Sequence, residues 1–257
     1  MRIPSNAPPL RVQHLALGTP ANTIELRLEH GSTLAILGEN GSGKSLLLSC
    51  LAGYRWSPGA TVEIHGFNVF DSRQRSAAQR LMGVVFQHSG LIRNFTVFEN
   101  VALPFLARSL TLDSELEDKV KLRLDLVGCG HLLHRGLSEL SEGDRKCVAL
   151  ARALAGEARV LLADEPLAAL SPRRRSLVEE LLVALVAVGA LSGVIFATQD
   201  LAFARRIASH FVVMESSGGQ PTGRVVMQSA GAGSDIDGGN QALPASSTTF
   251  HVAALAS

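Results

Sequence analysis

Two hydrophobic rhythms run through the chain. In "TIELRLEH", Ile24, Leu26 and Leu28 alternate with Glu25, Arg27 and Glu29, and "TVEIHG" at 61–66 alternates likewise. Both segments are expected to be half-buried antiparallel strands. By contrast "TLAIL" (33–37), "GVVF" (83–86), "VLLA" (160–163) and "VIFA" (194–197) are unbroken apolar runs. They predict strands of a parallel sheet covered on both faces, the mark of an α/β architecture. Between residues 88 and 155 helical spacing takes over: Leu116, Val120, Leu124 and Val127 share one face, and Val148, Ala151 and Leu154 another. A helical subdomain inserted in the α/β core is therefore expected.

The uncharged run from Leu181 to Thr198 reaches the length of a membrane span. Gly189, Ser192 and Gly193 interrupt it. Before the break, Leu177, Val178, Leu181, Leu182, Leu185 and Val186 recur at helical spacing, and after it "VIFAT" is compact and β-branched. Helix, tight turn and buried strand account for the run. From Ser216 onward Gly, Ser and Ala dominate, apart from an expected strand at Arg224–Gln228. Residues 1–228 thus read as the folded domain and 229–257 as a flexible tail.

At 257 residues the chain is long enough for one domain with a large core. A formal charge of +1 leaves no electrostatic footprint for nucleic acid, which is disfavoured as a partner. Cys50, Cys129 and Cys147 stand far apart, as in a reducing compartment. The N-terminus has no apolar core of a secretory signal.

Candidate chemistry begins at "GENGSGKS" (38–45), which satisfies GxxxxGK[ST] between the strand "TLAIL" and the apolar helix "SLLLSCLAG". Gly38, Gly41 and Gly43 let backbone N–H groups surround a phosphate, and Lys44 reaches the β- and γ-phosphates. Glu39, Asn40, Ser42 and Leu46 complete the candidate ATP-binding segment, with Ser45 as a Mg²⁺ ligand. A second signal is "RVLLADEP" (159–166), where an apolar strand ends in two carboxylates. Asp164 is the candidate metal ligand and Glu165 the base for the attacking water. The third, "LSEGDRK" (140–146), lies between them.

Together these segments resemble the ATP-binding cassette (ABC) family over residues 10–228. The family's LSGGQ signature is approximated by Leu140, Ser141, Glu142, Gly143 and Asp144; Gln87 matches its Q-loop, and "LAALS" (167–171) its D-loop. The resemblance implies a P-loop NTPase of ABC type: a mostly parallel central sheet, an antiparallel β subdomain and an inserted helical subdomain. It implies roles for Gln87 in metal binding and catalysis. It also implies a head-to-tail dimer, homomeric or heteromeric, in which Ser141 and Gly143 of one subunit meet ATP held by the other. "SEGD" is equally a helix capping box, with Ser141 as N-cap and Asp144 answering it.

Several positions depart from the family pattern. Gln199 stands where the family has its catalytic switch histidine, Ser171 replaces the D-loop aspartate, Leu46 replaces a threonine, and Leu17 lies near the usual adenine-stacking aromatic. Glu142 and Asp144 add negative charge near the triphosphate. Slow ATP hydrolysis is the expected consequence. An ATP-dependent dimerisation clamp with little turnover is the alternative of a different class.

The resemblance further implies separate integral membrane permease subunits, with this chain peripheral on the cytoplasmic face of the inner membrane. The stretch "TVFENVALP" (96–104) after the Q-loop is similar to Mla/Mce-type phospholipid transport ATPases. The lipoprotein-release and cell-division ATPases are the runner-up.

Overall fold

The computed structural model describes residues 3–4, 6–17, 23–107, 114–217 and 220–229. In chain order the elements are β1 (Leu10–Ala16), β2 (Thr23–Leu28), β3 (Ser32–Leu37), α1 (Lys44–Leu51), β4 (Thr61–Ile64), β5 (Phe67–Asn68), α2 (Arg75–Arg80), β6 (Met82–Val85), α3 (Val97–Leu106), α4 (Ser114–Leu126), α5 (Glu142–Ala153), β7 (Val160–Asp164), α6 (Pro172–Ala187), β8 (Gly193–Thr198), α7 (Leu201–Ile207), β9 (His210–Ser217) and β10 (Gln220–Ser229).

Both strand rhythms translate into sheets. The four unbroken apolar runs become β3, β6, β7 and β8 of a six-stranded sheet ordered β10-β9-β3-β8-β7-β6, parallel except for the β9–β10 edge. The alternating segments become β2 and β4 of a second sheet ordered β2-β1-β4-β5, antiparallel throughout. Successive residues of each central strand feed opposite cores. Ala35, Leu37, Leu161, Ala163, Val194 and Phe196 pack on the side of α3–α7. Leu34, Ile36, Leu162, Ile195 and Ala197 pack against α1 and the antiparallel sheet.

Some boundaries differ from the sequence expectation. The strand expected at 224–228 extends over Gln220–Ser229, because β9 supplies a long antiparallel partner. The helical stretch expected from residue 88 starts only at Val97. Upstream of it the backbone is held as a loop by Asn100: its Oδ1 accepts from the Ile92 N–H, and its Nδ2 donates to the carbonyls of Ile92 and Thr96. The expected tail beyond Ser229 lies outside the described residues. No helix among the described residues is long and apolar enough to cross a membrane.

Candidate functional site

Strand register brings the candidate residues to one edge. Leu37 of β3 lies opposite Thr198 of β8, Ala197 opposite Asp164 of β7, and Ala163 opposite Val85 of β6. Because these strands are parallel, the segments following all four emerge together at their C-terminal ends, the usual ligand edge of such sheets. A cleft of about 460 Å³ there is lined by Asn40, Gly41, Gly43, Lys44, Ser45, Leu46, Gln87, Asp164 and Glu165.

The loop at 38–45 takes its shape from glycine. Gly41 and Gly43 have φ of 84° and 96°, a region L side chains rarely adopt, and Gly43 directly precedes the first residue of α1. Lys44 is buried, and its Nζ donates to the carbonyls of Gly38 (2.7 Å) and Glu39 (2.9 Å) across the loop. The buried Ser42 hydroxyl has no hydrogen-bond partner among the described residues, and a Cβ at Gly38 would clash with it.

Across the cleft, Asp164 is buried at the end of β7, and Glu165 follows with φ of 47°. Its carboxylate accepts hydrogen bonds from the Thr198 hydroxyl and the Gln199 N–H, both 3.0 Å. The Gln199 backbone therefore orients Glu165, while the residue itself is exposed. Asp200 caps α7 and is bound by Arg175 at 2.6 Å, tying the start of α6 to the Gln199 turn.

Lys146, which the sequence reading missed, ties these pieces together. Although it is a charged residue, it lies on the buried stripe of α5 with Gly143, Cys147 and Leu150. Its Nζ spends all three donors on backbone carbonyls, those of Phe86 (3.0 Å), Gln87 (2.9 Å) and Asp164 (3.2 Å). Burial lowers its pKa, against the pull of Asp164, Glu165 and Glu142. One turn and a half later Arg152 donates to the carbonyls of Gly90 and Ser89. A lysine in register with an apolar helical face was the available signal. Lys146→Met is expected to destabilise the fold by about 3 kcal/mol, since it strands carbonyls that burial keeps from water. Urea unfolding checks this; an unchanged midpoint would contradict it.

Ser141 and Gly143 lie away from the cleft. Ser141 is the N-cap of α5: its hydroxyl accepts from the Asp144 N–H and donates to Asp144 Oδ2 at 2.6 Å, so the expected capping box is present. Arg174 Nη1 donates to Asp144 Oδ1. Partial burial works against the charged form of Asp144, but the bonds from Ser141 and Arg174 hold its carboxyl below the usual range. Gly143 is needed for close approach, because a Cβ there would meet the Ala169 carbonyl oxygen at 2.7 Å. Ser171 is the N-cap position of α6, ahead of Pro172, and makes no side-chain cap. Leu17 is buried in the core next to α1 and offers no exposed face for stacking on a base.

A glycine-shaped loop between a parallel strand and a helix, facing an acidic strand end, defines a P-loop NTPase fold. Comparison with known proteins makes the class specific. The family model for ABC transporters matches residues 21–168. The sulfate/thiosulfate import ATP-binding protein CysA of Rhodopseudomonas palustris is 39% identical over 205 residues, which is 76% of this chain and 56% of that protein. Methionine import ATP-binding protein MetN 1 of the same organism is 35% identical over 209 residues, 80% of this chain and 54% of that one. The dimeric structure of MJ0796, a bacterial ABC transporter cassette, superposes with a TM-score of 0.73 at 25% identity, covering 79% of this chain and 93% of that chain. The post-hydrolysis dimer of the same cassette, bound to ADP and Pi, gives 0.72 at the same identity and coverage. The chain belongs to the ABC transporter family. It spans little more than half the length of the two import proteins.

Proposed function

We propose that this chain is the ATP-binding subunit of an ABC transporter. Two such subunits, this chain twice or with a similar partner, hold ATP between the loop at 38–45 of one and the Ser141 end of α5 of the other. Hydrolysis then drives a separate membrane permease, with the chain peripheral on the cytoplasmic face of the inner membrane. The observation that carries this reading is the division of the site. Lys44, Ser45, Gln87, Asp164 and Glu165 line one cleft, whereas Ser141 and Gly143 lie outside it. A single copy lacks the second half of the anion-binding surface, and the solved cassettes to which it is similar are dimers.

Within the cleft each residue has a chemical task. Lys44 and the loop amides neutralise the β- and γ-phosphates. Ser45, Asp164 and Gln87 are an all-oxygen donor set that fits Mg²⁺, which characteristically takes one carboxylate alongside substrate phosphates. Bound there, Mg²⁺ would neutralise phosphate charge. Glu165, held by Thr198 and the Gln199 N–H, accepts the proton of the attacking water. Phosphate release from ATP should require Mg²⁺ and rise more steeply than linearly with protein concentration. A rate strictly proportional to protein would contradict the two-subunit site.

Hydrolysis is expected to be slow because of Gln199. A glutamine amide donates a hydrogen bond to a phosphate oxygen but carries no charge, whereas an imidazole takes up positive charge near neutral pH. Gln199→His is expected to raise kcat about ten-fold, equivalent to roughly 1.4 kcal/mol of barrier. The Gln199 N–H bond to Glu165 is made by the backbone and survives the change. Steady-state phosphate release checks this; a variant no faster than its parent, even with Ser171→Asp added, would show Gln199 to be a neutral replacement.

Import of a small solute is the cargo class that the import relatives support. Phospholipid transport is the second reading, favoured by the likeness of residues 96–104 to Mla/Mce-type ATPases. That stretch has a local structural role as well. Thr96 and Glu99 form the capping box of α3, and Asn100 fixes the preceding turn. Purification with the native permease and its soluble binding partner separates the two readings.

A further inference from the structure

The start of α5 is chemically odd for a surface that has to meet a triphosphate. Its first turn carries two carboxylates, Glu142 and Asp144. A helix N-terminus contributes only about half a positive charge, too little to offset two acids. Each acid, however, has a cation of the same chain near it, and Asp144 is paired with one directly. Glu142 lines a cleft with Lys146 and Arg145. Asp144, whose side chain is only 18% exposed, is bound by Arg174 from the first turn of α6, itself 26% exposed. Partial burial works against the Arg174 cation, yet the bond to Asp144 leaves its pKa raised.

The geometry of the pair matters as much as its charge. Asp144 uses Oδ2 to accept from the Ser141 hydroxyl and Oδ1 to accept from Arg174, so one carboxylate joins the capping serine to α6. The capping box engages the Asp144 N–H, leaving the Glu142 and Gly143 amides at the helix start as donors toward an anion. Next to this bridge Gly143 packs on the Ala169 carbonyl, two residues ahead of the N-cap of α6. The end of α5 that faces the opposite subunit is thus seated on the segment leading into α6 at two adjacent points.

We propose that Arg174 is a positioning residue for nucleotide capture between subunits: by neutralising and orienting Asp144, it lets an acidic helix start accept the triphosphate bound to a second copy. The inference rests on the two-subunit ATP site proposed above. Arg174 acts through Asp144 and Ser141, and it plays no part in the cleft at 38–45, which binds ATP within one chain.

The test is made in a Glu165→Gln background, where turnover does not consume the complex, by titrating Mg·ATP and following dimerisation by sedimentation velocity. Arg174→Gln removes the charge and shortens the side chain, which also breaks the bridge to Asp144. It is expected to raise the ATP concentration for half-dimerisation at least ten-fold, with the ATP affinity of the monomer changed less than about two-fold, because an unscreened carboxylate then opposes the triphosphate at both sites of the dimer. Adding Asp144→Gln, which retains capping-box chemistry, is expected to bring dimerisation back to within about three-fold of the parent. A merely structural bridge would not be rescued, because the double variant still lacks it. Dimerisation of Arg174→Gln at parental ATP concentrations, or failure of Asp144→Gln to restore it, overturns the proposal while leaving the two-subunit site standing. Should Arg174→Gln not fold, Asp144→Gln alone decides: it must dimerise at least as readily as the parent. A parent that stays monomeric at saturating ATP overturns both readings.

Discussion

Lys44→Ala is expected to abolish ATP binding at concentrations where the wild type is saturated. Among the described residues lining the cleft its ammonium is the one cation, and it bonds the Gly38 and Glu39 carbonyls across the loop. A triphosphate replaces those carbonyls as the acceptor. Two charge-assisted hydrogen bonds at about 1.5–3 kcal/mol each correspond to a loss of at least 100-fold in affinity. The fold should survive, because the loop's path is set by the positive φ of Gly41 and Gly43 and not by the lysine. Titration calorimetry with ATP, alongside thermal unfolding, checks both halves. Wild-type affinity in the variant would remove residues 38–45 from the phosphate site.

Glu165→Gln is expected to lower kcat by about 10²–10⁴-fold, the range for loss of a general base, while leaving ATP affinity intact. In glutamine the single amide oxygen takes the place of Oε1 and still accepts from the Gln199 N–H, while Nε2 takes the place of Oε2 and donates to the Thr198 hydroxyl, so the local geometry is retained and only proton acceptance is lost. Glu165 also sits at φ of 47°, a strained conformation kept at the cleft edge, and glutamine bears the same backbone cost. Phosphate release under saturating Mg·ATP measures the effect. An undiminished rate would place the base elsewhere.

How much of this was legible in the sequence depended on whether a residue's role is local. The four central strands were readable because strands buried on both faces need apolar residues at every position, as in Val160–Ala163 and Val194–Ala197. The loop at 38–45 and the capping box at Ser141 were readable because their geometry is confined to a few consecutive residues. Strand β1 was not, since its alternation of Leu10, Val12 and Leu15 slips at a bulge where His14 takes φ of 54°. The separation of Ser141 and Gly143 from the other site residues depended on the family resemblance, not on spacing.

Roles made by tertiary contact stayed hidden. Lys146 looks like one more surface charge until α5 is laid against the strand ends, when its three donors meet carbonyls from two distant segments. Asp144 reads as added negative charge near the nucleotide, and only the fold supplies Arg174 to balance it. At Gln199 the sequence drew attention to the side chain, whereas the backbone N–H holds Glu165 whatever side chain is attached. Leu17 is directed into the core, a fact its sequence position could not reveal.

The most direct test of the two-subunit ATP site is sedimentation velocity of the Glu165→Gln variant with saturating Mg·ATP, with Mg·ADP, and without nucleotide. In the proposed two-subunit site, Ser141 and Gly143 outside the cleft supply half of the anion-binding surface, so ATP should bring two chains together and ADP, lacking the γ-phosphate, should not. The account predicts a dimer with ATP alone and monomers in the other two samples. Monomers at saturating ATP, or the same dimer without nucleotide, would contradict it.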